Sequence, residues 1–326
     1  MKVLLTGANG FVGSHILDRL HETKLETAVL LRSSSETRFI RHNLTDTDVR
    51  VGSITDTGSL LKATSGITHV IHCAGRTKAV RTSEYYQTNH LGTRNVVEAL
   101  NAQGSSVVRL LHISSLAAAG PATPQFPINE EAPPRPVSDY GKSKLAGEME
   151  VRERCRVPFT IIRPPAVYGP RDTGFLSIFK AVSRHLLPCP NKAQSLSIVF
   201  AGDLAQAVIA CLCRPETAGK IYFAASPELV TGCGMAQEIA VQMKQWTLPF
   251  PIPAPVLWSV CLVQQVLSRL TRKPSLLNLQ KYAELRAPGW VCDSSKLERE
   301  IGFACKTRLK QGIAETLDWY HRERWL

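Results

Sequence analysis

Short, almost wholly apolar runs recur along the first half of the chain, at Lys2 to Leu5, Glu26 to Leu31, Val49 to Val51, His69 to Ala74, Val107 to Ile113 and Phe159 to Arg163. Runs of this length and character read as strands buried on both faces. Between them the apolar positions fall at helical spacing, as at Phe11, Val12, Ile16, Leu17 and Leu20, and again through Ser83 to Ala102. Asp56 and Ser138 stand where a helix N-cap is needed. Strand and helix therefore alternate to about residue 170, which predicts an α/β fold built on a doubly wound parallel sheet. Six prolines between residues 121 and 136 exclude helix or central strand there and predict a stiff surface loop skirting the active site.

Beyond residue 170 the rhythm loosens. Strand-like pieces at Ser195 to Ala201 and Ile221 to Ala224 alternate with helices near 203–213 and 234–246, predicting a smaller domain of mixed structure. The division expected is an α/β domain over 1–170 and a second, smaller region over 171–326. Segments near 195–213 and 290–293 are candidates to rejoin the first domain, and the substrate is expected between the two. Val256 to Leu270 is the most apolar helix, but Ser259, Gln264, Gln265 and Ser268 interrupt it, and it is too short and too polar to cross a bilayer core of roughly 30 Å. It is read as lining an apolar substrate pocket. A membrane-surface contact, suggested by Arg269, Arg272 and Lys273 beyond the helix, is the weaker reading and is not expected. Trp290 to Gly302, followed by a helix to Tyr320, reads as a return of the chain onto the domain edge.

Composition changes this picture little. The 326 residues, 44% hydrophobic and 20% charged, are those of an ordinary globular protein. The net charge of +12 comes from dispersed lysines and arginines without a recognition motif, so no nucleic-acid partner is expected, although an anionic ligand would feel the same field. Nine cysteines, scattered apart from Cys211 and Cys213, make neither a disulfide framework nor a metal-ligand spacing, and are read as reduced core residues with no metal site. The chain starts directly on its first strand without a leader pattern, so a cytoplasmic location is expected.

The chemistry begins at KVLLTGANGFVG. Glycines at 7, 10 and 13, placed after a strand and at the opening of a helix, let a pyrophosphate approach the main chain and the helix N-terminus. The second strand ends in Arg32-Ser33-Ser34-Ser35 instead of an acidic residue, which suits a 2′-phosphate and favours NADP over NAD. Ala74-Gly75 closes the fourth strand where a backbone can lie against a cofactor. Asn89 is polar within a packing helix, a position usual for a satisfied buried amide. Ser114 and Ser115 stand at the carboxyl end of the fifth strand, where ligands of open parallel sheets bind. Tyr140 and Lys144, one helical turn apart, project from one face. An ammonium beside a phenol is expected to lower its pKa from roughly 10 and fit it for proton transfer. Ser115 would share the substrate oxygen, and Lys144 would reach the nicotinamide ribose.

Seven motifs in order, TGANGFVG (6–13), HCAG (72–75), NHLGT (89–93), ISS (113–115), YGKSK (140–144), RPPAVYGP (163–170) and GDLAQA (202–207), resemble the extended short-chain dehydrogenase/reductase superfamily over nearly the whole chain. That superfamily includes the NAD-dependent epimerase/dehydratase group and the hydroxysteroid dehydrogenase and dihydroflavonol reductase types. The resemblance implies a Rossmann-type sheet with a smaller C-terminal substrate region, and often a homodimer joined by Rossmann-domain helices. It implies a Ser115, Tyr140 and Lys144 triad supported by Asn89, hydride transfer at the nicotinamide C4, and a pyrophosphate held by Gly7, Gly10 and Gly13. The same resemblance extends the NADP or NAD site over Asn9, Phe11, Val12, Arg32, Ser53, Ile54, Cys73, Ala74, Gly75, Asn89, Ser114, Tyr140, Lys144, Pro164 and Val167. Ser53 replaces the usual aspartate that holds the adenine. Ala166 replaces an asparagine common in sugar-nucleotide members, and SLSIVFAGD lacks their arginine-aspartate pair. The departures favour an apolar ketone or secondary alcohol, steroid-, terpenoid- or flavonoid-like, over the alternative of a sugar-nucleotide epimerase or dehydratase. A non-catalytic dinucleotide-binding regulator is disfavoured by the intact tyrosine and lysine.

Overall fold

The computed structural model describes residues 1–189, 194–275 and 277–326. Its first half alternates as the hydrophobic pattern requires: β1 (Lys2–Thr6), α1 (Phe11–Glu22), β2 (Glu26–Leu31), β3 (Asp48–Val51), α2 (Thr57–Thr64), β4 (His69–His72), α3 (Thr82–Tyr85), α4 (Gly92–Ala102), β5 (Arg109–Ile113), α5 (Leu116–Ala119), α6 (Asp139–Arg154) and β6 (Phe159–Arg163). A π-helical turn, Tyr86–Leu91, joins α3 to α4, so the helix read from Ser83 to Ala102 is one run with a widened turn at Asn89. The second half comprises β7 (Ala166–Tyr168), α7 (Leu176–Val182), β8 (Leu186–Cys189), β9 (Ser195–Phe200), α8 (Ala201–Leu212), β10 (Lys220–Phe223), β11 (Leu229–Thr231), α9 (Gly232–Gln242), β12 (Leu248–Pro251), α10 (Ala254–Thr271), α11 (Leu279–Arg286), β13 (Gly289–Trp290), α12 (Ser295–Ile301) and α13 (Leu309–Arg322).

The main sheet has seven strands in the order β10-β6-β5-β4-β1-β2-β3, and every neighbouring pair is parallel. This is a Rossmann-type doubly wound fold. Because successive strand residues face opposite sides, Val3, Leu5, Val29 and Ile71 pack with Ile16, Leu17, Leu204 and Val208 on one face. Leu4, Ala28, Val70 and Leu110 pack with Leu60, Val96, Leu100 and Val151 on the other. The strand order reverses between β1 and β4, and the crevice at their carboxyl ends is where such sheets hold ligands.

Several expectations change. The strand near Ile221 is not in the smaller region; as β10 it pairs with β6 at the edge of the main sheet. Of the 195–213 segment, named as a candidate to rejoin the first domain, helix α8 packs on α1 in the main core while β9 pairs in the smaller sheet. The segment near 290 does not rejoin that sheet, because β13 pairs with β9, as do β7 and β11. The closing helix α13 buries Ile313, Leu317 and Tyr320 with Phe179 and Ile239 of α7 and α9, and so completes the smaller core instead of covering a domain edge. The proline-rich stretch is tied down: Ala122 N donates to Gly289 O at 3.0 Å and Ile128 N to Val291 O at 3.0 Å. Cysteines are also corrected, since Cys189 and Cys233, 44 residues apart, form a disulfide between β8 and α9, while the other seven are free.

Helix α6 lies unusually close to its neighbours. A Cβ on Gly147 would stand 2.3 Å from the Asn89 carbonyl oxygen, and one on Gly141 would stand 2.3 Å from that of Ala117. We expect Gly147→Ala to destabilise the protein by about 1–3 kcal/mol, because the obstructing atom is backbone and cannot swing aside. Gly232→Ala, at the start of α9 with nothing within 4 Å, is expected to be neutral or stabilising. Thermal melts of the two variants side by side check this.

Candidate active site

The loop after β1 is shaped by close backbone contact. Gly7 has φ +76°, and a Cβ on Gly13 would lie 2.0 Å from the Gly7 oxygen, so neither position admits a side chain. Gly10 N donates to Gly7 O at 3.1 Å, and no side chain caps α1, whose first turn carries no acidic residue. That is a helix N-terminus suited to a phosphate. The tips of β1 and β4 are fastened beside it. Thr6 Oγ1 is 2.8 Å from His72 Nδ1 and accepts from Ala74 N at 3.3 Å, while His72 Nε2 meets Thr93 Oγ1 at 3.1 Å. His72 is fully buried, and burial lowers its pKa to about 3, so it serves as a neutral cross-brace. Nothing in the spacing of Thr6, His72 and Thr93 announced this brace. Phe11 stacks edge-on against His15, and Val12 packs against the main core.

Around the adenosine end, Asn9 Nδ2 donates to Glu36 O at 3.2 Å, and Arg32 is exposed, its backbone N bonded to Ser35 Oγ at 3.0 Å. Ser53 Oγ pairs with Thr55 Oγ1 at 2.8 Å. Ile54 offers no side chain to a ligand, because its side chain enters the core against Gly92. Gly75 lies where an added Cβ would be 3.4 Å from Asn89 Oδ1 and 3.8 Å from Lys144 Nζ. A bare backbone thus runs from the glycine loop past Cys73, Ala74 and Gly75 to the helix that carries Tyr140. These residues fit a dinucleotide: an uncapped helix N-terminus at one end, exposed backbone in the middle, and hydrogen-bonding side chains at the other.

Tyr140 and Lys144 converge with Ser115 and Asn89. Ser138 caps α6, accepting from Gly141 N at 3.2 Å, so Tyr140 sits in the first turn. Ser115, whose Oγ accepts from Ala117 N at 3.1 Å, lies close enough to the phenol to favour its charged form. Tyr85 packs against the phenol ring at 6.2 Å. Lys144 Nζ donates to the Ile113 carbonyl, one strand residue before Ser114. Burial raises the Tyr140 pKa to about 12 and lowers that of Lys144 to about 8. The expected lowering of the phenol by the ammonium is not what the structure gives: desolvation of the hydroxyl dominates and raises it, and the opposing influence is Ser115 instead of Lys144. Asn89 is a fully engaged amide. Its Nδ2 donates to Ser143 Oγ at 2.9 Å and Arg76 O at 3.0 Å, and its Oδ1 accepts from Arg76 N at 2.7 Å. It clamps the turn after β4 to α6 one residue before Lys144.

Ser114 differs from expectation. It is buried, and its hydroxyl donates to Glu148, not toward the crevice. Glu148 pairs with Arg163, at 2.9 Å from Nε and 2.6 Å from an Nη, and both are within 2% of full burial. Pro164 contributes its carbonyl to Leu116 N at 2.8 Å, and Val167 is held in β7. Glu148→Ala should cost about 3–5 kcal/mol by stranding the Arg163 charge, whereas E148L/R163M should recover most of that loss. Chemical denaturation of the two variants measures both.

Residues 3–225 match the NAD dependent epimerase/dehydratase family. The chain is 29% identical over 326 residues to a ceramide reductase of Caulobacter vibrioides, covering 99% of this chain and 96% of that protein. It is also 29% identical over 268 residues to a UDP-glucose 4-epimerase of Vibrio cholerae, covering 77% and 79%. Among solved structures, a dTDP-glucose 4,6-dehydratase of Streptomyces venezuelae superposes with a TM-score of 0.81 at 20% identity, over 100% of this chain and 98% of that one.

Proposed function

This chain belongs to the NAD-dependent epimerase/dehydratase family of enzymes, and on that premise we propose that it is an oxidoreductase interconverting a ketone and a secondary alcohol on an apolar, lipid-like molecule. The arrangement that carries the reading is Ser115 beside the phenol of Tyr140, with Lys144 one turn further along α6. When bound, the dinucleotide supplies or accepts the hydride. Tyr140 gives its phenolic proton to the carbonyl oxygen as that oxygen becomes an alcohol, and recovers it in the reverse direction. Ser115 donates to the same oxygen and steadies the charge building there. Lys144 holds the ribose hydroxyls and keeps positive charge near the phenol, and Asn89 fixes the approach of α6. Arg32, exposed at the tip of β2 with no acidic residue beside it, favours the 2′-phosphate of NADP.

The apolar substrate class is supported by Ala166, which stands exposed where sugar-nucleotide members of the superfamily commonly carry an asparagine. The end-to-end likeness to a ceramide reductase points the same way. The likeness to a UDP-glucose 4-epimerase supports the competing reading, in which the cofactor is reduced and reoxidised within one turnover. Stoichiometric NADPH consumption on an apolar ketone establishes the reductase, and sugar epimerisation without net consumption establishes the alternative. Tyr140→Phe is expected to lower turnover by about 10²–10⁴-fold, the usual contribution of a positioned acid. Turnover near wild type would remove the proton-transfer role.

Lys144 also sets a pH dependence. Its pKa in the folded protein lies below its ordinary 10.5, so the ammonium predominates at neutral pH and is lost as pH rises through about 8. Activity that depends on that charge falls above about pH 8. Lys144→Arg keeps its charge and should move the falling limb upward. The same burial costs stability below pH 8, a cost relieved as pH rises from there toward 10.5. Rate profiles and melts across roughly pH 6–10 test the two signs independently.

A further inference from the structure

Helix α10 is apolar on the wrong side. It buries Leu257, Cys261 and Ser268, but its outward stripe, spaced by four, three, four and three residues, is Val256, Val260, Val263, Leu267 and Leu270, all exposed by 40–75%. A surface helix ordinarily places polar residues there. Strand β12, which leads into α10, adds Leu248 and Phe250, each more than half exposed. Among the described residues, eleven of the 22 exposed large hydrophobic side chains lie between Val241 and Leu270, so the exposure is one patch of sequence and not the usual scatter.

Between Glu238 and Glu284 the charges along the chain have one sign. From Ile239 to Ala283 the chain carries Lys244, Arg269, Arg272, Lys273 and Lys281 and no aspartate or glutamate. All five are exposed, and only Lys281 has an ion-pair partner among the described residues. A second copy docked face to face would bring these cations against themselves. No described helix is long and apolar enough to cross a membrane. We propose that α10 lies in the surface of an anionic phospholipid bilayer, with Val256, Val260, Val263, Leu267 and Leu270 among the acyl chains and Arg269, Arg272 and Lys273 against the headgroups.

The placement joins that surface to the site. Helix α11 packs beside α10, and its Gln280 is hydrogen-bonded both ways to Asp139, the neighbour of Tyr140, at 2.9 and 2.7 Å. A cavity of about 330 Å³ separates Gln265 and Ser268 of α10 from Tyr85, which packs on Tyr140. On the apolar-substrate reading, this cavity between α10 and Tyr85 is where a lipid drawn from the bilayer would pass toward the site. The membrane proposal stands on the surface alone; only this last step rests on the apolar-substrate reading.

The test is flotation of the purified full chain with vesicles of phosphatidylcholine, alone or with about 30% phosphatidylglycerol, at low and high salt. The protein should rise with the anionic vesicles and lose most of that binding at about 0.5 M salt. The V263E/L267E variant should reduce the bound fraction about tenfold, with an unchanged melting temperature and NADPH affinity. Protein remaining in the bottom fraction with both vesicle types overturns the proposal, as does a double variant that floats like wild type. A dimer in sedimentation that V263E/L267E dissociates also overturns it, by assigning the stripe to a second copy. Vesicle binding in a protein that turns over no apolar ketone upholds the membrane surface and removes the substrate reading.

Discussion

The site depends on how closely α6 can approach the ends of β4 and β5. Gly141 and Gly147 remove the side chains that would stand between that helix and the carbonyls of Ala117 and Asn89. With the gap closed, the Tyr140 phenol lies beside Ser115 and the Lys144 ammonium reaches the Ile113 carbonyl, so two helix residues bear on one strand end. A helix held farther out by even one methyl group per contact would leave the phenol short of that serine. In the proposed reaction, it is position of this kind that would make Tyr140 an acid and Lys144 its support.

Buried polar groups hold the arrangement in register. Glu148 with Arg163 and Ser114, Thr6 with His72 and Thr93, and Asn89 with Arg76 and Ser143 each bridge elements distant in sequence. None of these groups gains much over an apolar replacement in stability alone, since each must first be desolvated. Their effect is directional: a hydrogen bond fixes an angle and a register, which hydrophobic contact leaves loose. The cost of the same dry environment is visible on the two principal side chains, with Tyr140 raised to about 12 and Lys144 lowered to about 8. A site so poised favours the neutral phenol and an ammonium near its titration point, consistent with proton donation to a carbonyl in the proposed reduction.

The smaller region is organised differently from the sheet. Its core joins α7, α9 and α13, and Cys189 and Cys233 tie β8 to α9 within it. Helix α10 grows from that region with its apolar stripe bare, so the hydrophobic pattern there reports a surface and not a core. One helix thus satisfies the packing of α11 on one side and presents unpaired apolar area on the other.

The first half of the fold was legible because a parallel strand buried on both faces must be apolar throughout, and its glycine loop must lack side chains. The runs near Lys2, Glu26, His69, Val107 and Phe159 all form strands of the main sheet, and an added Cβ at Gly7 or Gly13 would strike backbone. Local pattern carried no such information about partners at long range. Nothing in the sequence near Ile221 shows that β10 pairs with β6, that Ser114 turns to Glu148, or that Cys189 meets Cys233. The pattern also misjudged Lys144 as a lowering influence on Tyr140, because burial of the hydroxyl is set by everything packed around it. By itself the sequence determined which segments are strands and helices and which residue types gather at the glycine loop and on α6, since periodicity and backbone sterics act over a few residues. Only the tertiary structure decided the strand order, the direction of the pKa shifts and the bare face of α10, since pairing, desolvation and exposure depend on neighbours brought together from across the whole chain.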